Sequence, residues 1–202
     1  MSCAVAHVIV HKYEKVIFHP SCLESVHFTN RMGTEWTPMM WKNNFTEMWE
    51  KELDHTDIWG FQFNYSIQAK LSVEERRRGW KICCHRAYGK FRCGTCSKTW
   101  PSARITLLFH YRLRSGAARG TVIMRPFGQA CRRCNGDFEL PGFSTAEVEK
   151  VLLKLIGKIK KNCYGEEEED NSYSCSSEKV WTKPHESLLC EACRQGICCE
   201  ED

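Results

Sequence analysis

Nothing in these 202 residues approaches the ~20 consecutive apolar positions that a membrane-crossing helix needs. The longest apolar stretches, Ile105–Phe109 and Val151–Ile156, stop well short of that. The N-terminal MSCAVAHVIVHKYEKV has a brief apolar patch but no basic stretch ahead of it and no clean small-residue cleavage site. It therefore does not read as a secretory signal. The motifs of several enzyme classes are missing as well. There is no His-x-x-x-His pair for a catalytic zinc, no phosphate-cradling glycine loop and no Gly-x-Ser-x-Gly elbow. The His-x-Glu of zinc deaminases is absent, because His85 is followed by Arg-Ala, His110 by Tyr-Arg and His185 by Glu-Ser. No repeat of structural size occurs. These absences point to a cytoplasmic, non-enzymatic chain with no small-molecule substrate.

What the sequence has in quantity is cysteine, fourteen of them. In an oxidising compartment an even count suggests disulfides, whereas in a reducing one the same count suggests metal. The missing signal favours metal, and Asn44-Phe-Thr and Asn64-Tyr-Ser are then chance matches to the glycosylation pattern. Spacing agrees. Three Cys-x-x-Cys pairs, at 93/96, 131/134 and 190/193, have the separation at which two thiolates meet one zinc ion.

Residues 1–34 hold four histidines and two isolated cysteines with no clear period, and read as a poorly ordered extension. A zinc-binding domain is expected over 35–199, followed by an acidic tail at 200–202. Thr37 followed by Pro38 reads as a helix start. Trp41, Phe45, Met48, Trp49 and Leu53 then form one apolar stripe, predicting a helix over 38–54. Ile58–Ile67 is strand-like, 71–79 reads as a polar turn, and Trp80–Arg92 holds a short strand. Ser102–Tyr111 and Thr121–Phe127 are predicted to pair as an antiparallel hairpin across the turn-like Arg112–Gly120. That hairpin carries Cys93/Cys96 and Cys131/Cys134 to the same end of a sheet spanning 58–134, as in a zinc ribbon. Ser144-Thr-Ala-Glu147 is a capping box, and Val148, Val151, Leu152, Leu155, Ile156 and Ile159 complete a helix over 144–161. An acidic loop (165–180) and a Cys-rich end (190–199) follow. The fold class is α+β: a small antiparallel sheet of zinc-ribbon type, flanked by an N-terminal and a C-terminal helix and held by structural zinc.

Closed thiolate sites of this kind hold zinc for folding, whereas catalytic zinc keeps an open position. The last pair has further thiolates close by, at Cys198 and Cys199. It is compatible with a second site, completed by a distant residue such as Cys163, or with an exchange of partners with the first two pairs. Either one or two Zn²⁺ ions result. Cys83, Cys84 and His85 lie near Cys93, but neighbours on a strand face opposite sides, so at most one of the two cysteines faces a metal. Charge is segregated too. Between Lys70 and Arg133 stand sixteen Lys and Arg against two acids, Glu74 and Glu75, in a chain whose net charge is only +4. Arg104, Arg112, Arg114, Arg119 and Arg125, with Phe91, Trp100, Phe109, Tyr111 and Phe127 interleaved, suit a phosphate backbone, an anionic membrane surface or an acidic partner. The alternative is a solvated basic face whose rings are core.

The order Gly79-Trp-Lys, Arg86-Ala-Tyr-Gly-Lys-Phe-Arg-Cys93-Gly-Thr-Cys96, Met124-Arg-Pro-Phe-Gly-Gln-Ala-Cys131-Arg-Arg-Cys134 and Cys190-Glu-Ala-Cys193-x-x-Gly-Ile-Cys198 resembles the three-CxxC zinc domain of the receptor-transporting proteins. The resemblance covers roughly Glu35 to Cys199. It implies an accessory protein at the cytosolic face of membranes that helps olfactory, taste or opioid-type G-protein-coupled receptors reach the cell surface. One branch of that family implies an alternative, an RNA-binding zinc protein with an antiviral or translational-control role. By the match, Cys93, Cys96, Cys131, Cys134, Cys190 and Cys193 carry over as zinc ligands, with Cys198 or Cys199 as a seventh. Members of that family usually end in a transmembrane anchor, and no such segment stands before Asp202.

Overall fold

The computed structural model describes residues 33–52, 56–166 and 182–198. Within them, helix α1 (Pro38–Glu52) and helix α3 (Thr145–Ile159) lie on one face of a four-stranded sheet. That sheet contains β1 (Ile58–Phe63), β2 (Lys81–Arg92), β3 (Thr99–Arg114) and β4 (Arg119–Pro126), in the order β1-β4-β3-β2. Two short strands, β5 (Gln129–Ala130) and β6 (Phe138–Glu139), form a separate antiparallel pair. The predicted extension at 1–34 falls outside the described residues except for its last two positions, as do Leu53, the acidic run after Glu166 and the tail at 200–202.

The β3–β4 hairpin forms as the sequence predicts, closing at Arg114 opposite Arg119. Alternation along it sorts the side chains. Leu107, Phe109 and Tyr111 on β3 and Val122 and Met124 on β4 face the helices and are buried. Trp41, Phe45 and Trp49 from α1 and Val148, Val151, Leu152, Leu155, Ile156 and Ile159 from α3 cover them. Each such side chain contributes about 1.5–3 kcal/mol on leaving water, so this layer is the main source of stability.

Four local features differ from expectation. The segment read as a polar turn contains a short helix, α2 (Val73–Arg77), which starts with a reciprocal cap: Glu75 N–H donates to Ser72 Oγ, and Ser72 N–H donates to Glu75 Oε2. The strand predicted within Trp80–Arg92 runs twelve residues and contains a register shift between Ala87 and Gly89. Finally, β1 joins the otherwise antiparallel sheet parallel to β4, from Ile58 opposite Arg119 to Phe63 opposite Met124. No tight turn connects these two strands, so hairpin geometry does not dictate their relative direction. Thr37 also departs from its expected role, because its hydroxyl donates to Glu35 O instead of capping α1.

Candidate metal centres

The first two Cys-x-x-Cys pairs occupy equivalent turns. Cys93–Cys96 sits in the connection from β2 to β3, where Cys93 N–H donates to Lys98 O and Ser97 N–H donates to Cys93 O, both at 2.9 Å. Cys131–Cys134 sits in the connection from β5 to β6, where Asn135 N–H donates to Cys131 O at 2.8 Å. In both turns the residue after the second cysteine is left-handed, Ser97 with φ of 57° and Asn135 with φ of 48°. This conformation is costly for non-glycine residues, asparagine being among the more tolerant. Its repetition marks two copies of one knuckle.

Polar contacts press the knuckles together. Gly94 N–H donates to Glu139 Oε1 at 2.6 Å, Trp100 Nε1–H donates to Gln129 Oε1, and Gln129 Nε2–H donates to Ser102 Oγ. As a result Cys93 Sγ lies 3.8 Å from Cys134 Sγ, and Cys96 Sγ lies 3.8 Å from Cys131 Sγ. A tetrahedral zinc with Zn–S near 2.3 Å has S···S edges of about 3.8 Å. Cys93 and Cys131 are buried, and Cys96 and Cys134 are half-buried. Burial alone would raise the Cys131 thiol, but the N–H groups of Arg133 and Cys134 and the thiols of Cys96 and Cys93 outweigh it and bring the group down to about 7. Cys134 is pushed up to about 12, chiefly by its hydrogen bond to Cys96. Four sulfurs this close cannot all be thiolates unless a cation joins them, so the donor set fits zinc.

A second group gathers His185, Cys190, Cys193 and Cys198, with ligand atoms all within 4.8 Å of one another. His185 Nε2 lies 3.1 Å from Cys193 Sγ and 3.9 Å from Cys198 Sγ. The segment is docked onto the sheet face opposite α1 and α3. Cys190 bridges to Gln129, and Glu191 N–H donates to Gly128 O. The Glu191 carboxylate accepts from Arg125 Nη2 and from Gly128 N–H, each at 2.8 Å. Cys190 and Ala192 pack with Leu108 and Phe127 in a small second core.

This arrangement corrects two sequence readings. Cys163 is no partner for the last pair, because it packs against the main core beside Tyr111. Nor do the pairs exchange partners, since the two groups are separate among the described residues. Cys199 lies outside those residues. His185, which the sequence reading used only to exclude a deaminase motif, is the member that was missed. The available signal was the local spacing His-x4-Cys-x2-Cys-x4-Cys.

The five arginines singled out earlier share the sheet face opposite the helices, being even-numbered on β3 and odd-numbered on β4. Arg125 is nevertheless buried and engaged by Glu191 and by the carbonyl of Ile67, so it is a structural residue. Arg112 is half-buried, with its guanidinium 4.6 Å from the Trp80 ring centre. Arg104, Arg114 and Arg119 are exposed. Of the interleaved rings, Phe91, Phe109, Tyr111 and Phe127 are buried, and Trp100 stacks on Phe91 at 5.3 Å. The rings are core and make no stacking platform.

Residues 86–196 match the family of zinc-binding domains of the 3CxxC zinc-ribbon kind. Curated relatives agree. Receptor-transporting protein 4 of Homo sapiens is 31% identical over 165 residues, covering 81% of this chain and 64% of that protein. Receptor-transporting protein 2 of Mus musculus is 34% identical over 173 residues, covering 82% and 73%. Receptor-transporting protein 3 of Mus musculus is 28% identical, and the chain spans 36% of its length. No solved structure matches the chain. No helix among the described residues is long and apolar enough to cross a membrane.

Proposed function

We propose, from the premise that this chain belongs to the receptor-transporting protein family, that it is a non-enzymatic accessory factor for delivery of membrane receptors to the cell surface. Its clients are G-protein-coupled receptors of olfactory, taste or opioid type, engaged from the cytosolic side. Zinc acts here as scaffold. Cys93, Cys96, Cys131 and Cys134 hold one ion, and Cys190, Cys193 and Cys198 contribute to another. What supports this reading is the donor geometry: the Cys93–Cys134 and Cys96–Cys131 sulfur pairs each lie 3.8 Å apart, a spacing at which four thiolates would fill a tetrahedral zinc and leave no position for a reacting water. Bound there, zinc would cross-link two turns 38 residues apart, Cys93–Cys96 and Cys131–Cys134.

The test is surface labelling of a panel of such receptors in cells with and without the protein. The reading requires higher surface levels with the intact chain and loss of the effect when Cys93 and Cys96 are both replaced by serine. Receptor levels indifferent to the protein across the panel remove it.

A second reading is RNA binding, favoured by the exposed Arg104, Arg114 and Arg119 on one sheet face. It requires affinity that falls steeply with salt and weakens when Arg114 and Arg119 become glutamate. The burial of the neighbouring aromatic rings leaves phosphate contact as its main source of affinity.

A further inference from the structure

Two arginines on the same face of the sheet are answered differently. Arg125 is buried and meets a carboxylate at 2.8 Å, that of Glu191 in the four-residue helix α4 (Glu191–Arg194). Arg112, on the neighbouring strand, pairs with no carboxylate among the described residues. Its guanidinium lies over the Trp80 ring, 4.6 Å from the centre, and its Nε is buried with no hydrogen-bond partner among those residues. A buried donor without an acceptor is costly, and native structures keep few of them without a reason.

Other cations crowd Arg112. Burial, and then Arg114 and Arg78 as neighbouring positive charges, lower its pKa. The backbone fixes where these neighbours stand. Gly79 is left-handed, with φ of 80°; its N–H donates to Arg76 O, and Trp80 N–H donates to Glu75 O. This is the Schellman close of a helix, which glycine makes without strain, and it sets Arg78 and Trp80 at the entrance to β2. At the far end of β3, Arg114 pairs directly across the ladder with Arg119, an arrangement in which like charges destabilise a sheet. Acids do little to offset this. Glu74 reaches Arg78 at 3.0 Å in an exposed pair, which is worth little. Glu75 accepts from the Ser72 N–H and hydroxyl, and Asp57 accepts from the Tyr164 hydroxyl.

We infer that Arg78, Arg112, Arg114 and Arg119, set around the Trp80 ring at the hairpin-tip corner of the sheet, form a binding site for clustered phosphomonoesters, such as those of an inositol polyphosphate, either free or as a lipid headgroup. The inference goes beyond the receptor reading and does not rest on it. Concentration of charge selects the ligand. A phosphomonoester carries about −1.5 to −2 near neutral pH and three strong acceptor oxygens, whereas a nucleic-acid backbone spreads single charges along a strand. A corner cluster matches the first. Arg104, the remaining exposed arginine of this face, precedes Arg114 by ten residues, roughly 33 Å along an extended strand, and takes no part. Guanidinium forks suit phosphate because they bind it through two parallel hydrogen bonds. Stacking on Trp80 holds the Arg112 fork in one plane beforehand, so less ordering accompanies binding. A bound phosphate gives that guanidinium the acceptors that the surrounding residues withhold.

Calorimetric titration of the zinc-loaded full chain with inositol hexakisphosphate tests the site. The wild type is expected to bind saturably. Arg112→Gln and Arg114→Gln should each weaken binding by about tenfold or more, and Trp80→Leu should weaken it less, by loosening Arg112 alone. Arg104→Gln removes the same charge from the same face, beyond a screening length, and should change affinity by less than about twofold. Zinc content and melting temperature report that each variant is folded, and Arg114 is exposed, so its replacement leaves the core alone. Two vesicle preparations of equal surface charge, one carrying a phosphatidylinositol bisphosphate and one phosphatidylserine, locate the source. Binding to the first alone assigns the site to a lipid headgroup, and binding to inositol hexakisphosphate but to neither vesicle assigns it to a soluble polyphosphate; both uphold it. Equal binding to the two vesicles, equal losses from Arg104→Gln and Arg112→Gln, or no saturable binding of inositol hexakisphosphate overturns the inference. A single-stranded RNA that displaces inositol hexakisphosphate and depends on Arg104 as much as on Arg112 overturns it in favour of the RNA reading.

Discussion

The Arg125 guanidinium reaches the Glu191 carboxylate at 2.8 Å, from the end of β4 to the only turn of α4. The side chains are 7% and 20% exposed, and Phe127 covers the guanidinium from one side, 4.4 Å from its ring centre. Arg125 also donates to Ile67 O, and Glu191 also accepts from Gly128 N–H. One ion pair thus ties the 64–67 turn, the β4–β5 connection and the C-terminal knuckle together.

Removing the carboxylate strands a buried charge, which is far more damaging than losing a surface pair. Glu191→Ala is expected to lower unfolding stability by about 3 kcal/mol in denaturant titration of the zinc-loaded protein. The double replacement Arg125→Met with Glu191→Ala should recover part of that loss, because no charge is then left unpaired. Additive single effects would show that the two residues do not act as a pair.

The contrast between Arg125 and its neighbours shows where sequence reading stops. All five arginines were visible as a basic cluster, and strand alternation alone puts them on one face. That Arg125 is buried depends on Glu191, 66 residues away, and no local pattern encodes that pairing. His185 was missed for a different reason: its spacing to Cys190 is local, but the four residues between them, Glu-Ser-Leu-Leu, carry no helical or strand period that would mark the segment as folded. Helix α3 and the first two cysteine pairs were legible because their signals are local: an apolar stripe at helical spacing, and two thiols three residues apart. Even there, Glu147 does not close the capping box it suggests. Ser144 Oγ accepts from Glu147 N–H, but the Glu147 carboxylate accepts instead from Tyr88 N–H, at the register shift in β2, at 2.8 Å. The two-way cap does form at Ser72 and Glu75, in the segment read as a polar turn.

Metal content should respond to cysteines by position rather than by number. Cys131→Ser is expected to cost one equivalent of zinc, lower the melting temperature and increase hydrogen exchange in β5 and β6. Cys83→Ser and Cys163→Ser, both at the main core, should leave metal content unchanged. Elemental analysis alongside thermal melts checks this, and a drop in zinc for either core variant contradicts the ligand assignment.

His85 sets an acid limit. It lies on the helix-facing side of β2, against Phe109 and near Lys154 and Lys158, with Nε2 lacking a hydrogen-bond partner. Burial, reinforced by the two lysines, lowers its pKa to about 4. The unfolded chain protonates this histidine near 6.5, before the folded one does. Its contribution to stability is therefore complete above about pH 6.5 and is lost progressively as pH falls toward 4. Imidazole NMR shifts should show His85 still neutral at pH 5. His85→Gln should flatten the acid dependence of unfolding between pH 6.5 and 5, and an unchanged slope would contradict this assignment.

Gly120 is a position where a single added methyl group should harm the sheet. It pairs with Trp59 across the parallel β1–β4 ladder, and a Cβ built on Gly120 would fall within the Trp59 indole. The ring has nowhere easy to go. Its Nε1–H donates to Tyr164 Oη at 2.9 Å, Tyr164 donates in turn to Asp57 Oδ2 at 3.0 Å, and the indole packs 4.9 Å from Trp49 of α1. Displacing Trp59 would break this chain and loosen the contact between β1 and α1. Gly120→Ala is therefore expected to destabilise by about 1–3 kcal/mol, the usual cost of overpacking, and to shift tryptophan emission toward that of an exposed ring. Trp59→Leu in the same background should relieve the clash and recover part of the loss in denaturant midpoint. A Gly120→Ala protein that melts and fluoresces like the wild type would show that β1 is not held in this register.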